Sequence, residues 1–236
     1  MSNKTIHYCW FGGNPKPAIV EKCIASWRKF LPDFEIREWN ETNFDVSCCQ
    51  YVKQAYEAKK YAFVSDYARF YILEKFGGLY FDTDVEVIKP LDGLFEDDAF
   101  AAFETPQFIA PGLVLWIKEP HNPFIQKMME RYHAESFLKS DGQPDLTTIC
   151  VKFTDELKKH GFEPNNQLQK CAGFTLYPVD YFNPFNDLTG KLTKTENTYA
   201  IHWYSKTWMS TTQKIRNKIT RILHRFLGTD FFHRNK

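Results

Sequence analysis

Ser65-Asp66-Tyr67-Ala68-Arg69-Phe70-Tyr71-Ile72-Leu73, followed after three residues by Gly77-Gly78-Leu79-Tyr80-Phe81-Asp82-Thr83-Asp84-Val85, decides the fold class. The first run sits in a segment, Tyr51–Phe76, whose apolar spacing predicts helix, read as two consecutive helices. Gly77-Gly78 is where a left-handed C-terminal cap would stop it. Leu79-Tyr80-Phe81 has the length and composition of a buried strand, and Asp82 and Asp84 follow where that strand ends.

Working outward, the same alternation continues. Thr5–Trp10 reads as a strand closed by Phe11-Gly12-Gly13, Ala18–Phe30 as a helix, and Phe34–Trp39 as a second strand. Beyond Asp84, Val85–Ile88, Ala99–Glu104, Leu113–Ile117 and Tyr199–Trp203 read as extended, Pro123–Leu138 as a helix, and Asn183–Asn197 as a surface loop. Strands alternating with helices predict an α/β domain, a Rossmann-like, mainly parallel sheet with helices on both faces. Ligands bind such sheets beyond the carboxyl ends of the strands, which is where Asp82 and Asp84 fall.

The chain has 236 residues, 43% of them hydrophobic and 25% charged, enough for a packed core and too apolar for disorder. Its formal charge of +1 excludes a nucleic-acid polycation. Aromatics at 17% suit a protein that stacks rings or sugars, and equally a Phe-rich core. The longest apolar runs fall well short of the roughly 20 residues a membrane span needs. No leader-like segment precedes Ile6-His7-Tyr8-Cys9-Trp10. Six cysteines without a CxxC pair, two of them adjacent (Cys48, Cys49), predict reduced thiols and a cytoplasmic protein.

Two carboxylates two residues apart at a strand end suit a hard divalent ion, Mn²⁺ or Mg²⁺, with coordination positions left for phosphate oxygens. Asp-x-Asp alone is weak, since about half of chains this long carry one by chance. Asp66 and Arg69 lie one helical turn apart. On a helix surface they would be an ion pair worth a few tenths of a kcal/mol. Their segment is apolar or aromatic at most other positions, so the pair is expected to be buried and in need of partners or a function.

These runs resemble the sugar-nucleotide-binding core of the DXD-containing glycosyltransferases of family 32. That family includes the yeast initiating α-1,6-mannosyltransferase and many bacterial polysaccharide enzymes, and the catalytic domain of the large clostridial glucosylating toxins is similar. Ile6-His7-Tyr8-Cys9-Trp10-Phe11-Gly12-Gly13 and Asn197-Thr198-Tyr199-Ala200-Ile201-His202-Trp203, with Ser205 and Trp208, extend the likeness from about residue 5 to 210. The resemblance implies a GT-A fold, a nucleotide-sugar donor and a divalent ion. UDP-sugars are favoured as donor, with GDP-mannose as the alternative, and the acceptor is a glycan or lipid-linked glycan.

Through that resemblance, Asp84 binds the metal directly, and Asp82 binds it through water or holds the ribose. Asp66 and Arg69 contact the donor sugar, and Arg69 also neutralises phosphate. Trp10 stacks on the nucleobase, Tyr80 lies beside the ribose, His202 completes the metal or diphosphate shell, and Ser205 and Trp208 close over the phosphates. Two departures stand out. Many relatives end in His-His-Trp-x-x-Ser-Trp where this chain has His202-Trp203-Tyr204-Ser205-Lys206-Thr207-Trp208. Phe108–Gly112 lacks the amide that some relatives present to the reaction centre, which leaves Glu104 and Asp145 as acceptor-side candidates.

Rival classes fit less well. A haloacid-dehalogenase-type phosphohydrolase wants Thr or Val where Glu86 stands, and a calcium loop wants Gly where Val87 stands. A non-catalytic, membrane-associated sugar-binding module would have no need of the complete Asp66, Arg69, Asp82 and Asp84 set.

The expected organisation is a catalytic domain over 1–211 and a basic tail over 212–236. The tail carries seven basic residues against Asp230 alone. Ile215, Ile219, Ile222, Leu223, Phe226 and Leu227 form one helical stripe in it. Such a helix either docks on the domain or lies on an anionic leaflet. The second is favoured, which gives a peripheral protein on the inner face of the plasma membrane.

Overall fold

The computed structural model describes residues 4–205 and 220–221. In chain order the first half contains β1 (Thr5–Cys9), α1 (Ala18–Phe30), β2 (Glu35–Trp39), α2 (Gln50–Glu57), α3 (Tyr61–Phe76), β3 (Gly78–Tyr80) and β4 (Val85–Val87). Then come β5 (Ala99–Thr105), β6 (Phe108–Ile109), β7 (Leu115–Ile117), α4 (Pro123–Ala134) and α5 (Ile149–Lys158). The last elements are β8 (Gln169–Cys171), β9 (Phe174–Tyr177), α6 (Val179–Phe182), β10 (Phe185–Asn186), β11 (Lys191–Leu192) and β12 (Ala200–His202).

The central sheet runs β2-β1-β3-β7-β5-β9-β8, with β6 paired to β5. β1 is parallel to β2 and β3, and β5 is parallel to β9. β7 lies antiparallel between β3 and β5, which restores the original direction at β5. Five strands therefore point one way, against β7, β8 and the short β6, as the alternation of strands and helices requires.

The two faces separate cleanly by side-chain alternation. Ile6, Tyr8, Leu79, Phe100, Ala102 and Trp116 pack with Val20, Ile24 and Trp27 of α1. Tyr80, Ala101, Phe103, Leu115 and Ile117 pack with residues of α2 to α5. Trp27 is wholly buried, stacks on Phe81 at 5.5 Å and donates its indole N–H to the Val85 carbonyl at 2.8 Å. It clamps α1 onto the chain on either side of Asp82 and Asp84. Truncating such a ring costs about 3–5 kcal/mol.

Helix α3 is buried on nearly every side, including Asp66 and Arg69. Gly77 ends it at φ 62°, ψ −158°, a positive φ with an extended ψ rather than the expected αL cap. The expected helix to Leu138 stops at Ala134, and the expected loop at Asn183–Asn197 contains the β10–β11 hairpin.

Among the described residues no helix is long and apolar enough to cross a membrane. All six cysteines are free thiols. Most of the tail lies outside the described residues. At its one described point, Arg221 pairs with Asp187 and lies over the Phe185 ring.

Candidate active site

The site forms where the chain leaves the main sheet. After β3 the backbone stays paired for two residues, Phe81 N–H to His7 carbonyl at 3.2 Å and Asp82 N–H to Gly112 carbonyl at 2.8 Å. A turn follows at Thr83-Asp84, and β4 departs to pair antiparallel with β12, which sets Val85 opposite His202. Asp82 and Asp84 thus stand at the carboxyl end of β3.

The first half of the site is built on α3. Arg69 Nη2 reaches Asp66 Oδ1 at 2.9 Å and Asp82 Oδ1 at 3.3 Å. Its Nε donates to the Ser65 carbonyl, its guanidinium lies 4.8 Å from the Tyr80 ring centre, and the Tyr80 hydroxyl donates to Asp82 Oδ1 at 3.1 Å. Burial pushes the Asp66 carboxyl up to about 6, while Arg69 works to keep it ionised. Burial opposes the Arg69 charge, but Asp82, Tyr80 and Asp66 outweigh it and the guanidinium is held firmly protonated. Arg69 Nη1 is buried without a partner among the described residues, a donor open to a ligand. Gly112 closes this half from above: a Cβ there would sit 2.0 Å from Asp82 Oδ2 and 2.7 Å from Arg69 Nη1.

The second half joins Asp84 to the end of the chain's last described strand. Asp84 Oδ1 lies 3.1 Å from His202 Nε2, and Oδ2 accepts the Ser205 backbone N–H at 2.7 Å. The Trp203 N–H donates to the Asp84 carbonyl at 3.0 Å. Burial works against the Asp84 charge, yet His202 and Ser205 bring its carboxyl down to about 2. Burial likewise opposes protonation of His202, and Asp84 overrides it, raising the imidazole. Asp84 is only 9% exposed. β12 covers it.

The other expected residues fall as follows. Trp10 stands half-buried just past β1, its indole N–H donated to the Asn14 carbonyl at 2.7 Å. Ser205 meets Asp84 through its backbone. Trp208 lies outside the described residues. Asp145 is occupied by the backbone and hydroxyl of Thr147 in its own turn. Sequence reasoning missed Gly112, Tyr204 and Asn183. A glycine just ahead of an apolar strand was the only available signal, and it pointed to Gly112.

Asp82, Asp84 and His202 bear on the fit of a divalent ion. Among the described residues no three His, Cys, Asp or Glu side chains converge as a ready-made ligand cage. Mg²⁺ or Mn²⁺ bound with a diphosphate needs no such cage, since one or two carboxylates suffice when phosphate oxygens and water complete the shell. Asp84, held ionised, and Asp82 meet that requirement. Beside them His202 Nδ1 is buried, with no partner among the described residues.

A mainly parallel sheet with paired carboxylates beyond β3 is the architecture of the GT-A glycosyltransferases. The fold is similar to that of the PaToxG glycosyltransferase (TM-score 0.53, 16% identity, 67% of this chain and 69% of that one). It is also similar to that of a glycosyltransferase involved in glycosylation of the major capsid of PBCV-1 (TM-score 0.52, 10% identity, 92% and 99%). Residues 1–219 match the capsular polysaccharide synthesis protein family, and the chain belongs to that family. Over 125 residues it is 33% identical to the human alpha-1,4-N-acetylglucosaminyltransferase, covering 50% of this chain and 34% of that protein. The chain therefore spans about a third of that relative's length. The fold is the one that these solved glycosyltransferases share.

Proposed function

We propose that the protein is a metal-dependent, retaining glycosyltransferase. It moves a hexose from a nucleoside-diphosphate sugar, a UDP-sugar before GDP-mannose, to a hydroxyl of a glycan or lipid-linked glycan in capsular or cell-surface polysaccharide synthesis. One observation carries this: buried Arg69 joins buried Asp66 to partly exposed Asp82 beyond β3, with a donor at Nη1 that has no partner among the described residues. Mn²⁺ or Mg²⁺, held by Asp84 and Asp82 with His202 alongside, would offset the charge gathering on the departing diphosphate. Asp66 and Arg69 orient the donor hexose, and Arg69 Nη1 is free to meet a phosphate or hydroxyl oxygen. Tyr80 backs the guanidinium, Trp10 offers a face for the nucleobase, and Ser205 with Trp208 close over the phosphates. In the transfer the C1–O bond to the β-phosphate breaks, a new C1–O bond forms to the acceptor oxygen, and the acceptor hydroxyl's proton passes to the departing diphosphate.

A phosphohydrolase would use Asp82 as nucleophile, but Asp82 is held by Arg69 and Tyr80 and roofed by Gly112. For 212–236 an anionic membrane surface remains the proposed partner, with Arg221 excepted because it faces Asp187.

The test is a thermal-shift screen of UDP-N-acetylglucosamine, UDP-glucose, UDP-galactose and GDP-mannose with Mn²⁺ and with EDTA, followed by donor turnover. The right donor at 100 times its Kd should stabilise by about 2.7 kcal/mol. Stabilisation and turnover that persist unchanged in EDTA would refute the metal's part. Hydrolysis of p-nitrophenyl phosphate without any sugar-nucleotide turnover would refute the transferase.

A further inference from the structure

Glu104 stands at a bulge. Phe103 pairs with Ile109 and Thr105 with Phe108, so Glu104 is the extra residue whose side chain is re-aimed. Its Oε1 accepts from the Tyr204 hydroxyl at 3.3 Å. Tyr204 holds φ 48°, costly for an aromatic residue, and its ring centre lies 4.0 Å from that of His202. The Asn183 amide nitrogen donates both to the Tyr204 hydroxyl at 2.7 Å and to the Glu104 carbonyl at 2.9 Å. That leaves Asn183 Oδ1 buried, with no partner among the described residues, in a residue 6% exposed. Glu104 also faces the Cys150 thiol, and through Tyr204 it adjoins the His202 side of the site.

A carboxylate, an amide oxygen with no donor and a hydroxyl converge here. Such acceptor-rich chemistry repels phosphate and takes neutral hydroxyl donors, as on a sugar ring. With the metal and diphosphate assigned to Asp82, Asp84 and His202 and the donor hexose to Asp66 and Arg69, one occupant is left. We propose that Glu104, Tyr204 and Asn183 form the subsite for the hydroxyls of a neutral hexopyranose on the acceptor. The inference rests on the donor assignment above.

The experiment is saturation-transfer NMR on the full chain preloaded with UDP and Mn²⁺, titrated with methyl glucoside, galactoside, mannoside and N-acetylglucosaminide in both anomers. At least one should bind the wild type. Glu104→Gln, isosteric and uncharged, should weaken it at least tenfold and Tyr204→Phe severalfold, with UDP affinity within twofold in each. Should Glu104→Gln fail to fold, Tyr204→Phe carries the test alone. The subsite is overturned if the UDP-loaded wild type binds no hexoside or if the variants bind as the wild type does. It is also overturned if UDP affinity falls in step with the hexoside, which would put Glu104 on the donor side. A wild type that binds neither UDP nor GDP with Mn²⁺ removes the donor assignment, and the inference with it.

Discussion

Asp84 already has both oxygens engaged, by His202 Nε2 and by the Ser205 N–H, and still carries the charge a metal needs. One side chain therefore serves two ends: it presents a carboxylate and it fastens β12 to β4. Asp84→Asn should lower donor turnover at least 10²-fold, several kcal/mol at the transition state. It should also lower the melting temperature, because the His202 charge loses its partner in a buried place. An Asp84→Asn protein with wild-type turnover would show that the wrong carboxylates were chosen. Gly112 is the complementary case, a residue whose role is the absence of a side chain. Gly112→Ala forces Asp82 and Arg69 to shift, at about 1–3 kcal/mol of overpacking. Turnover should fall at least tenfold while a denaturant melt stays cooperative. Unchanged kinetics would mean that Asp82 is free to move without consequence.

The elements were legible wherever local periodicity and burial agree. α1, α3, β1, β3 and the Asp66, Arg69, Asp82 and Asp84 set could be read because a mostly apolar helix leaves two charged residues conspicuous. α5, β8, β9 and the β10–β11 hairpin could not. Thr154 and Glu156 are buried in α5 beside Lys152, which breaks the apolar stripe that a sequence reading relies on. The Tyr204–Glu104 contact joins residues 100 apart in sequence, and no local pattern encodes it. Lys152 also locks α5 to its neighbours. Its ammonium, almost fully buried, pairs with Glu135 and lies about 4.5 Å from the Tyr132 ring centre and 4.6 Å from that of Tyr51. Glu135 is partly exposed and keeps Arg131 when Lys152 is removed, whereas Lys152 has little but the rings when Glu135 is removed. Glu135→Ala should therefore destabilise more than Lys152→Met, roughly 2–4 against 1–2 kcal/mol in urea melts. The reverse order would show that the rings alone hold the ammonium.

For the whole molecule, a lever on the acid side lies outside the site at His7, wedged between β2 and the end of α3. It accepts the Trp39 indole N–H at 3.1 Å on Nδ1 and faces the Gly77 carbonyl at 3.1 Å through Nε2. Burial, with a smaller push from Arg37, brings its imidazole down to about 4 against the Gly77 contact that favours the charged form. The unfolded chain takes up this proton near pH 6.5, before the folded one does. Stability is therefore complete above that value and falls as pH drops towards 4, by up to about 1.4 kcal/mol per pH unit. Melts across pH 7 to 4 should show the decline, with the His7 ring still neutral by NMR at pH 5; a protonated ring there would refute it. The pairing of β4 with β12 has a bearing on how the protein is made. Asp84 and Ser205 are 121 residues apart, so at ~10 residues per second about ten seconds separate their emergence from the ribosome. Asp66, Arg69 and Asp82 meet one another within a short stretch of chain, but Asp84 stays uncovered until β12 has been made. A copy cut just before β12 thus keeps Asp66, Arg69 and Asp82 but leaves Asp84 without His202 and Ser205, and under the proposed function it consumes no activated sugar.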